Sequence, residues 1–518
     1  MSLPQPIVAP AHFKAILITI FFLNIIEYLQ SGMIAFAARP IMGEIGSSPE
    51  EFGLINAVYA SIAVIMIAKQ HWMIERLGWR RYIQIALSFF MMGALVCYFS
   101  HSFYTFLAGR AIMALGGASF MTSARLLTLL LPVGVLRFVG IRFFVVSMIF
   151  GMAGAPFLAS LVVTHDSWNM VFILLIVFSV LAWLISTIAL PDEIVQPKHR
   201  MTQSSPMIFM LLLLGGFSFF YVFRRSSYNF YSNTFMLLLM VFGSLIFLIL
   251  FFFRLHTRKL DKPLMQIRPV FQNKLFILST LFSSAFYIVT ASSNYVLPLM
   301  LQQGLNFSWA SIGLYMSFGF STAFIAWKIF STYIQRSPML KKYLLVGGAC
   351  IAFYGWSLSN LTPQATLSWH ILPALLANGF YMIFFMSPVT AAGFRSLRGD
   401  DMLFSHAMQL RNIIAQLALS IGVSWGIVFM QWRTTIHFSQ VGESFNSFNP
   451  NFLSTLDQLT ALFSHAMSDN EAQYAALTQL QNQLQQQAIL MASIDFFHYV
   501  MIFGVVVTIV FLIQRTVK

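Results

Sequence analysis

HWMIERLGWRR, residues 71–81, is a short basic segment between two apolar runs, residues 51–70 and 82–100. Each run has the length of roughly 20 apolar residues that a helix needs to cross a bilayer. Charged side chains are costly in hydrocarbon, so the glutamate and the three arginines of the segment belong at a membrane surface. The stretch therefore predicts two membrane-spanning helices joined by a basic loop.

The rest of the chain repeats this pattern. Of its 518 residues, 58% are apolar and only 9% are charged, whereas soluble proteins have about 25% charged residues. Apolar runs of spanning length recur at 13–36, 51–70, 82–100, 103–128, 139–163, 169–190, 206–223, 233–253, 275–301, 309–331, 342–360, 369–393, 405–430 and 494–514. These runs predict an all-α polytopic membrane protein with fourteen transmembrane helices.

The basic residues indicate how the chain is oriented. They concentrate in the loops after the even-numbered spans, and the other loops are poor in Lys and Arg. Cytoplasmic loops carry an excess of these residues, so both termini are expected in the cytoplasm. Arg224 and Arg225 are the exception, because this scheme places them outside. The net charge of +14 is thus attributed to membrane topology, and no nucleic-acid partner is expected.

Two polar linkers, 191–206 and 254–274, divide the spans into six, two and six. We therefore expect an N-terminal bundle at 1–190, a linker with two extra helices at 191–274, and a C-terminal bundle at 275–518. The long polar stretch at 431–492 is expected to be an external loop. Its Gln-rich part, 474–492, has apolar residues at intervals of three and four, which predicts a short amphipathic interfacial helix.

The loop at 71–81 resembles a signature of the major facilitator superfamily. The matching positions are Glu75, Arg76, Gly78, Arg80 and Arg81. His71 and Trp79 depart from the signature, where the family has Gly and a basic residue. The resemblance implies a conformational switch in which these charges hold neighbouring helices together. Alternatively, Arg80 and Arg81 only anchor an inside loop.

Two further motifs resemble those of the same family. FLAGRAIMALGGASF, residues 106–120, resembles the family's fourth helix and places Arg110 deep in an apolar run. GMAGAPFLAS resembles the antiporter signature of the fifth helix, through Gly151, Pro156 and the small residue Ala155. Small residues let helices approach closely, and Pro bends a helix. Ordinary membrane packing remains the alternative explanation of this second motif.

Three other stretches, 260–276, 295–314 and 484–497, resemble the fourteen-helix drug:proton antiporters of the multidrug-efflux type. The resemblance implies the major facilitator fold, with two six-helix bundles plus two extra helices. It also implies a multi-pass protein of the bacterial inner (cytoplasmic) membrane, with a substrate site between the bundles. The Asp-x-Thr element that this branch usually has in helix 1 is absent here.

Glu27 is the only one of the sixteen acidic residues that falls deep within a predicted span. Glu27 and Arg110 come to comparable depths, on helices 1 and 4, which the family places side by side. Intramembrane ionisable residues are functional by default. One interpretation makes Glu27 the protonation site, with Arg110 biasing its charge state. The other is an inert structural salt bridge.

Depth alone suggests which side chains contact the substrate. The candidates are Asn24, Tyr28, Gln30, Asn294, Asn378 and Tyr381. Arg411, at the start of the thirteenth span, is expected to serve packing rather than substrate binding.

The motifs of nucleotide binding and of metal binding are absent, so we expect neither an enzyme nor a cofactor or metal. The leading hypothesis is a proton-coupled exporter of amphipathic, cationic or aromatic compounds such as drugs, dyes and biocides, working by alternating access between the two bundles. Its expected partners are its small-molecule substrate, protons and the lipid bilayer. A periplasmic adaptor protein is a further candidate partner. A siderophore or metabolite carrier, importer or exporter, is the alternative transport hypothesis, and a receptor or scaffold is the hypothesis from another class.

Overall fold

The protein is described from a computed structural model, which covers residues 10–190, 210–211, 214–218, 221 and 267–514, with gaps at 133, 166, 337–338, 398–400 and 444–449. The described residues form helices and no strand. The first group comprises α1 (Pro10–Phe36), α2 (Ala38–Glu44), α3 (Pro49–Leu77), α4 (Trp79–Tyr98), α5 (Phe103–Gly117), α6 (Phe120–Leu129), α7 (Val135–Thr164) and α8 (Met170–Ala189). The second comprises α9 (Ile267–Phe271), α10 (Lys274–Leu299), α11 (Trp309–Arg336), α12 (Leu340–Ser359), α13 (Leu372–Phe394), α14 (Asp401–Gly442), α15 (Pro450–Ser464) and α16 (Asp469–Ile513).

Eleven helical stretches of the described chain are long and apolar enough to cross a membrane, and each overlaps a predicted span. The helix α12 overlaps the predicted span 342–360 but is not among the eleven. The predicted spans 206–223 and 233–253 lie outside the described residues, apart from a few helical positions at 210–221. The all-α polytopic membrane fold is therefore confirmed, and a total of fourteen spans is consistent with it.

The helices pack in two groups that touch each other. In the first group α1 packs on α6, α7 and α8, and α4 packs on α5 and α8. In the second, α10 packs on α13 and α14, and α12 packs on α13 and α16. Contacts between the groups run through α7 with α11 and through α3 and α6 with α14. The domain boundaries proposed from the linkers stay a prediction, since most of 191–274 is not described.

The predicted external loop is largely helical in its described residues. The helix α14 runs to Gly442, about 18 Å beyond the predicted span end at 430, given the 1.5 Å rise per residue. The helix α16 begins at Asp469, about 37 Å before the predicted span at 494. The Gln-rich run therefore belongs to α16 rather than to a separate interfacial helix, because no Pro or Gly interrupts 469–503.

Specific polar contacts stabilise this extension. The Nε of Arg433 and the Nε2 of His437, both on α14, contact Oδ2 of Asp495 on α16 at 2.8 and 2.6 Å. At the start of α16, the backbone N–H and the hydroxyl of Ser468 donate to Glu471 at 3.2 and 2.7 Å. These bonds hold the pKa of Glu471 below its usual value, because they stabilise the charged form. The cap is therefore present at neutral pH and is lost as the pH falls through that lowered pKa.

The contact between α4 and α5 depends on glycine. A Cβ built on Gly116 of α5 would collide with the carbonyl oxygen of Ala86 in α4. A Cβ on Gly93 of α4 would likewise collide with the backbone N of Met113. Because the backbones touch, there is no flexible side chain that could move aside. These glycines let α5, which carries Arg110, lie directly on α4.

We expect Gly116→Ala to lower the thermal unfolding temperature in detergent, because overpacking typically costs about 1–3 kcal/mol. Gly43→Ala is the matched control, since nothing lies within 4 Å of a Cβ at Gly43 in α2. That substitution should leave the temperature unchanged or raise it, because Ala has the higher helix propensity. Tryptophan fluorescence during heating measures both. Equal unfolding temperatures for the two variants would contradict the packing argument.

Candidate functional site

Glu27 on α1 and Arg110 on α5 face each other inside the first group of helices. The Arg110 side chain is 4% exposed, and Glu27 is half-buried. The two charges interact electrostatically. No direct ion pair joins them within the described chain, and the buried Oε2 of Glu27 has no hydrogen-bond partner among its residues. The carboxylate can therefore take up a proton without breaking a salt bridge.

Arg110 is held by neutral groups. Its Nη1 donates to Oε1 of Gln30 at 3.1 Å, and Nε2 of Gln30 donates to the hydroxyl of Tyr59 at 2.6 Å. The guanidinium lies 4.2 Å from the centre of the Tyr59 ring, which attracts a cation through its π face. Gln30 was predicted as a cavity residue, but the role of Tyr59 was not predicted. A tyrosine in the second span carries no sequence signal that distinguishes it from core.

The α1 helix is positioned by its contact with α7. Nδ2 of Asn24 donates to the carbonyl of Phe144 at 2.7 Å and to Oγ of Ser147 at 2.9 Å. A Cβ added to Gly151 would lie 2.6 Å from Cβ of Tyr28. The small residues of α7 thus allow α1 to approach closely, and Asn24 is bound within this helix pair.

The same helix α7 also meets the second group. A Cβ on Gly32 of α1 would lie 2.5 Å from Cβ of Ala155, and one on Gly313 of α11 would lie 2.6 Å from the carbonyl of Pro156. Ala155 is 1% exposed, and Pro156 lies within α7. The antiporter-like positions therefore lie where α7 packs between α1 and α11.

The segment at 71–81 contains the turn between α3 and α4. Gly78 has φ of +78°, a backbone conformation that glycine adopts readily, and it separates the two helices. Nε2 of His71 lies 3.2 Å from Oε1 of Glu75, and Nη1 of Arg76 donates to the carbonyl of Trp72 at 3.1 Å. Arg80 and Arg81 follow in the first turn of α4.

His71, which departs from the family signature, connects this segment to the second group of helices. Its ring lies 5.9 Å from the ring of His406 on α14. The segment thus lies at a contact between the two groups, where a conformational switch would have to act.

The other predicted cavity residues, Asn294 on α10 and Asn378 and Tyr381 on α13, belong to the second group of helices. Asn378 and Tyr381 are each 2% exposed on α13. The Tyr381 ring packs 5.7 Å from that of Phe286 and 5.6 Å from that of Tyr354. Asn294 is exposed. These three residues thus lie on helices of the second group, whereas Gln30 and Glu27 lie on α1 of the first.

A second charged cluster was missed by the sequence analysis. Arg125 on α6 interacts electrostatically with Arg411 on α14 and with Tyr28 and Tyr287, and a hydrogen bond from Asn412 to Thr122 joins the two helices. The sequence feature that could have revealed this cluster is Arg125, an arginine near the end of the fourth predicted span, 103–128. Such a residue is easily assigned to the adjoining loop, because span boundaries are uncertain by a few residues.

Within the described residues, no group of three His, Cys, Asp or Glu could hold a metal ion.

Comparisons with known proteins agree with this architecture. The chain is 21% identical over 520 residues to the probable multidrug resistance protein EmrY of Escherichia coli K12, covering 98% of this chain and 96% of EmrY. It is 23% identical over 425 residues to the MFS-type transporter YhcA of Bacillus subtilis strain 168, covering 82% and 78%. It is also 23% identical over 410 residues to the putative multidrug resistance protein MdtD of Escherichia coli, covering 75% and 80%.

Solved structures share the fold. A bacterial homologue of the human lysosomal transporter Spinster has a TM-score of 0.55 at 14% identity, covering 97% of this chain and 98% of that one. A bacterial homologue of the human drug peptide transporters PepT1 and PepT2 has a TM-score of 0.59 at 12% identity, covering 96% and 97%. The family model of the Major Facilitator Superfamily matches residues 20–423. The chain therefore belongs to the major facilitator superfamily of membrane transporters.

Proposed function

We propose that this protein is a proton-coupled secondary transporter that exports amphipathic small molecules across the bacterial inner membrane by alternating access. Both termini are placed in the cytoplasm in this proposal. The observation that carries it is the Glu27 carboxylate, which lies deep in α1 beside Arg110 with one buried oxygen unpartnered among the described residues. The names of EmrY and MdtD support the export of drugs.

The proton acts through the attraction between α1 and α5. When Glu27 is charged, its attraction to Arg110 favours close packing of these helices, and this attraction is strong because the surroundings have a low dielectric constant. When Glu27 is protonated, the attraction is lost, while Gln30 and the Tyr59 ring still hold the guanidinium. Protonation therefore changes the energy of one helix contact without leaving Arg110 unsupported.

The two halves transmit this change. The α7–α11 and α3–α14 contacts join the groups of helices, so a shift of α1 against α7 reaches α11 through Ala155 and Pro156. In this proposal, access to the transport pathway from the cytoplasmic side is controlled by the loop segment that contains Glu75, Arg76, Gly78, Arg80 and Arg81. The helical extension of α14, α15 and α16 offers a surface for a periplasmic adaptor.

A second candidate is a carrier of organic anions, such as a siderophore or a metabolite. The specific observation in its favour is the pair Arg125 and Arg411, two positive charges on α6 and α14, the helices that the Asn412–Thr122 hydrogen bond joins. The two candidates differ in substrate and in direction, and they share the same fold and the same Glu27 site.

We expect Glu27→Gln to reduce proton-coupled transport at least about tenfold, because the amide cannot exchange a proton at this position. In everted membrane vesicles with an acid interior, dyes and biocides added to wild-type protein should release protons, detected as fluorescence recovery of a pH-sensitive probe. Glu44→Gln is the matched control, since Glu44 is exposed at the end of α2, and should behave as wild type. Proton release by Glu27→Gln at the wild-type rate would exclude Glu27 as the coupling group.

We expect Gln30→Leu to destabilise the protein by about 1–3 kcal/mol, because Nη1 of Arg110 loses its oxygen acceptor and is left buried. Chemical unfolding in detergent measures this loss. The control is Gln485→Leu, at an exposed position of α16. If both variants unfold at the same denaturant concentration, the Gln30 amide does not support Arg110.

A further inference from the structure

Two arginines, one from each half, approach each other where α6 meets α14. Nδ2 of Asn412 donates to Oγ1 of Thr122 at 2.8 Å, and this bond joins the two helices directly. Arg125 lies one turn after Thr122, and Arg411 directly precedes Asn412. The two guanidiniums are close enough to interact electrostatically. Like charges repel, so the electrostatic interaction of the two arginines opposes the contact between α6 and α14.

Arg411 is held in place without being neutralised. Its Nη2 donates to Oγ of Ser283 at 2.8 Å and to Oγ1 of Thr390 at 2.7 Å. The side chain is 3% exposed, yet its buried Nη1 has no hydrogen-bond partner among the described residues. Hydroxyl groups fix the direction of the guanidinium but leave its charge intact. One donor is therefore available to a ligand.

Arg125 likewise lacks a carboxylate partner in the described part of the chain. Its guanidinium lies 5.5 Å from the centre of the Phe144 ring. Tyr28 of α1 and Tyr287 of α10 interact with it electrostatically, each from the first described membrane-spanning helix of its group. Glu27, adjacent to Tyr28 in sequence, interacts electrostatically with Tyr28, Arg110 and Tyr59, and no ion pair joins it to Arg125 within the described chain.

Burying Arg125 and Arg411 within the membrane costs free energy unless another group compensates their positive charge. An arginine within a membrane costs on the order of 3 kcal/mol on insertion scales, and here two of them share one region. A pure packing role would need only the neutral contacts that Ser283 and Thr390 already make with Arg411. Arg125 makes no such side-chain hydrogen bond within the described residues. A bound anion would satisfy both groups and remove the repulsion between the halves.

We propose that Arg125 and Arg411, flanked by Tyr28 and Tyr287, bind the carboxylate of an amphipathic organic anion that the protein transports. Arginine suits this role because its planar donors match the geometry of a carboxylate. The Phe394 ring centre lies 5.4 Å from the Arg411 guanidinium, and the aromatic faces of Tyr28, Phe144 and Phe394 would accommodate the apolar body of the molecule. This inference rests on the proposed transport function and deepens it by naming the substrate class. The bound anion bridges the halves, so substrate and alternating access are linked through one site.

The test uses three probes with the same aromatic body: 2-naphthoate, the neutral 2-naphthamide and the cationic 2-naphthylmethylammonium. Thermal unfolding of the purified full-length protein is followed at pH 7 at equal probe concentrations. A ligand that binds the folded state raises the unfolding temperature. We expect 2-naphthoate to stabilise the wild-type protein and the other two probes not to do so. Stabilisation by all three probes to the same extent would overturn the proposal.

Variants then locate the site. Arg125→Gln should weaken 2-naphthoate binding at least about tenfold, which corresponds to about 1.4 kcal/mol. Arg125→Lys, which keeps the charge, should recover part of the affinity. Arg142→Gln is the matched control, because Arg142 is exposed on α7, and it should bind like wild type. Arg411→Gln is a second test of the site. Arg125→Gln is less prone to destabilise the fold, because Arg125 makes no side-chain hydrogen bond in the described chain, whereas Arg411 makes two. Undiminished binding by Arg125→Gln would overturn the proposal.

The two proposals can fail separately, because binding in detergent needs no proton gradient. Glu27→Gln should retain 2-naphthoate binding while losing proton-coupled transport. If wild-type protein binds 2-naphthoate but Glu27→Gln transports normally, the coupling proposal is wrong and the anion site stands. If Glu27→Gln abolishes drug-driven proton release but 2-naphthoate never binds, the anion site is wrong and the coupling proposal stands.

Discussion

A charged side chain within a bilayer must find its partners inside the protein, and this constraint determines which side chains surround the buried arginines. Arg110 meets it with the amide of Gln30 and the ring of Tyr59. Arg411 meets it in part with two hydroxyl groups. In both places neutral groups orient a cation without cancelling its charge. The remaining charge is then available to a carboxylate, either that of Glu27 or that of a ligand.

This arrangement depends on how closely the helices pack. Polar side chains can share a hydrogen bond across two helices only if the backbones approach, and small residues permit this. Gly151 brings α1 onto α7, and Gly116 brings α5 onto α4. The helices that carry Glu27 and Arg110 are thus each positioned by a glycine contact on another face. The same helix α7 passes from α1 to α11, so the site in one half is mechanically connected to the other half.

Much of the fold could be predicted because hydrophobicity and charge act locally. Span lengths follow from bilayer thickness, and the eleven spanning stretches of the described chain overlap predicted spans. The extension of α14 and α16 was not predicted, since polar Gln-rich sequence suggested a loop, whereas a run without Gly or Pro continued the helix. Glu27 and Arg110 were found because charged residues in apolar runs are conspicuous. Arg125 was overlooked because it lies near the end of its span, where a loop arginine would be ordinary.

Composition and local pattern were enough to predict that the chain crosses the membrane many times, that it resembles the major facilitator superfamily, and that Glu27 is the one acidic residue deep within a predicted span. They were enough because each of these properties depends on neighbouring residues along the chain. The packing of the helices was needed to show that Gln30 and Tyr59, rather than a directly paired carboxylate, support Arg110. The fold also brings Arg125 and Arg411, 286 residues apart in sequence, onto two helices in contact, where their charges interact. Such pairings depend on which helix faces touch, and no local pattern specifies the rotation of one helix against another.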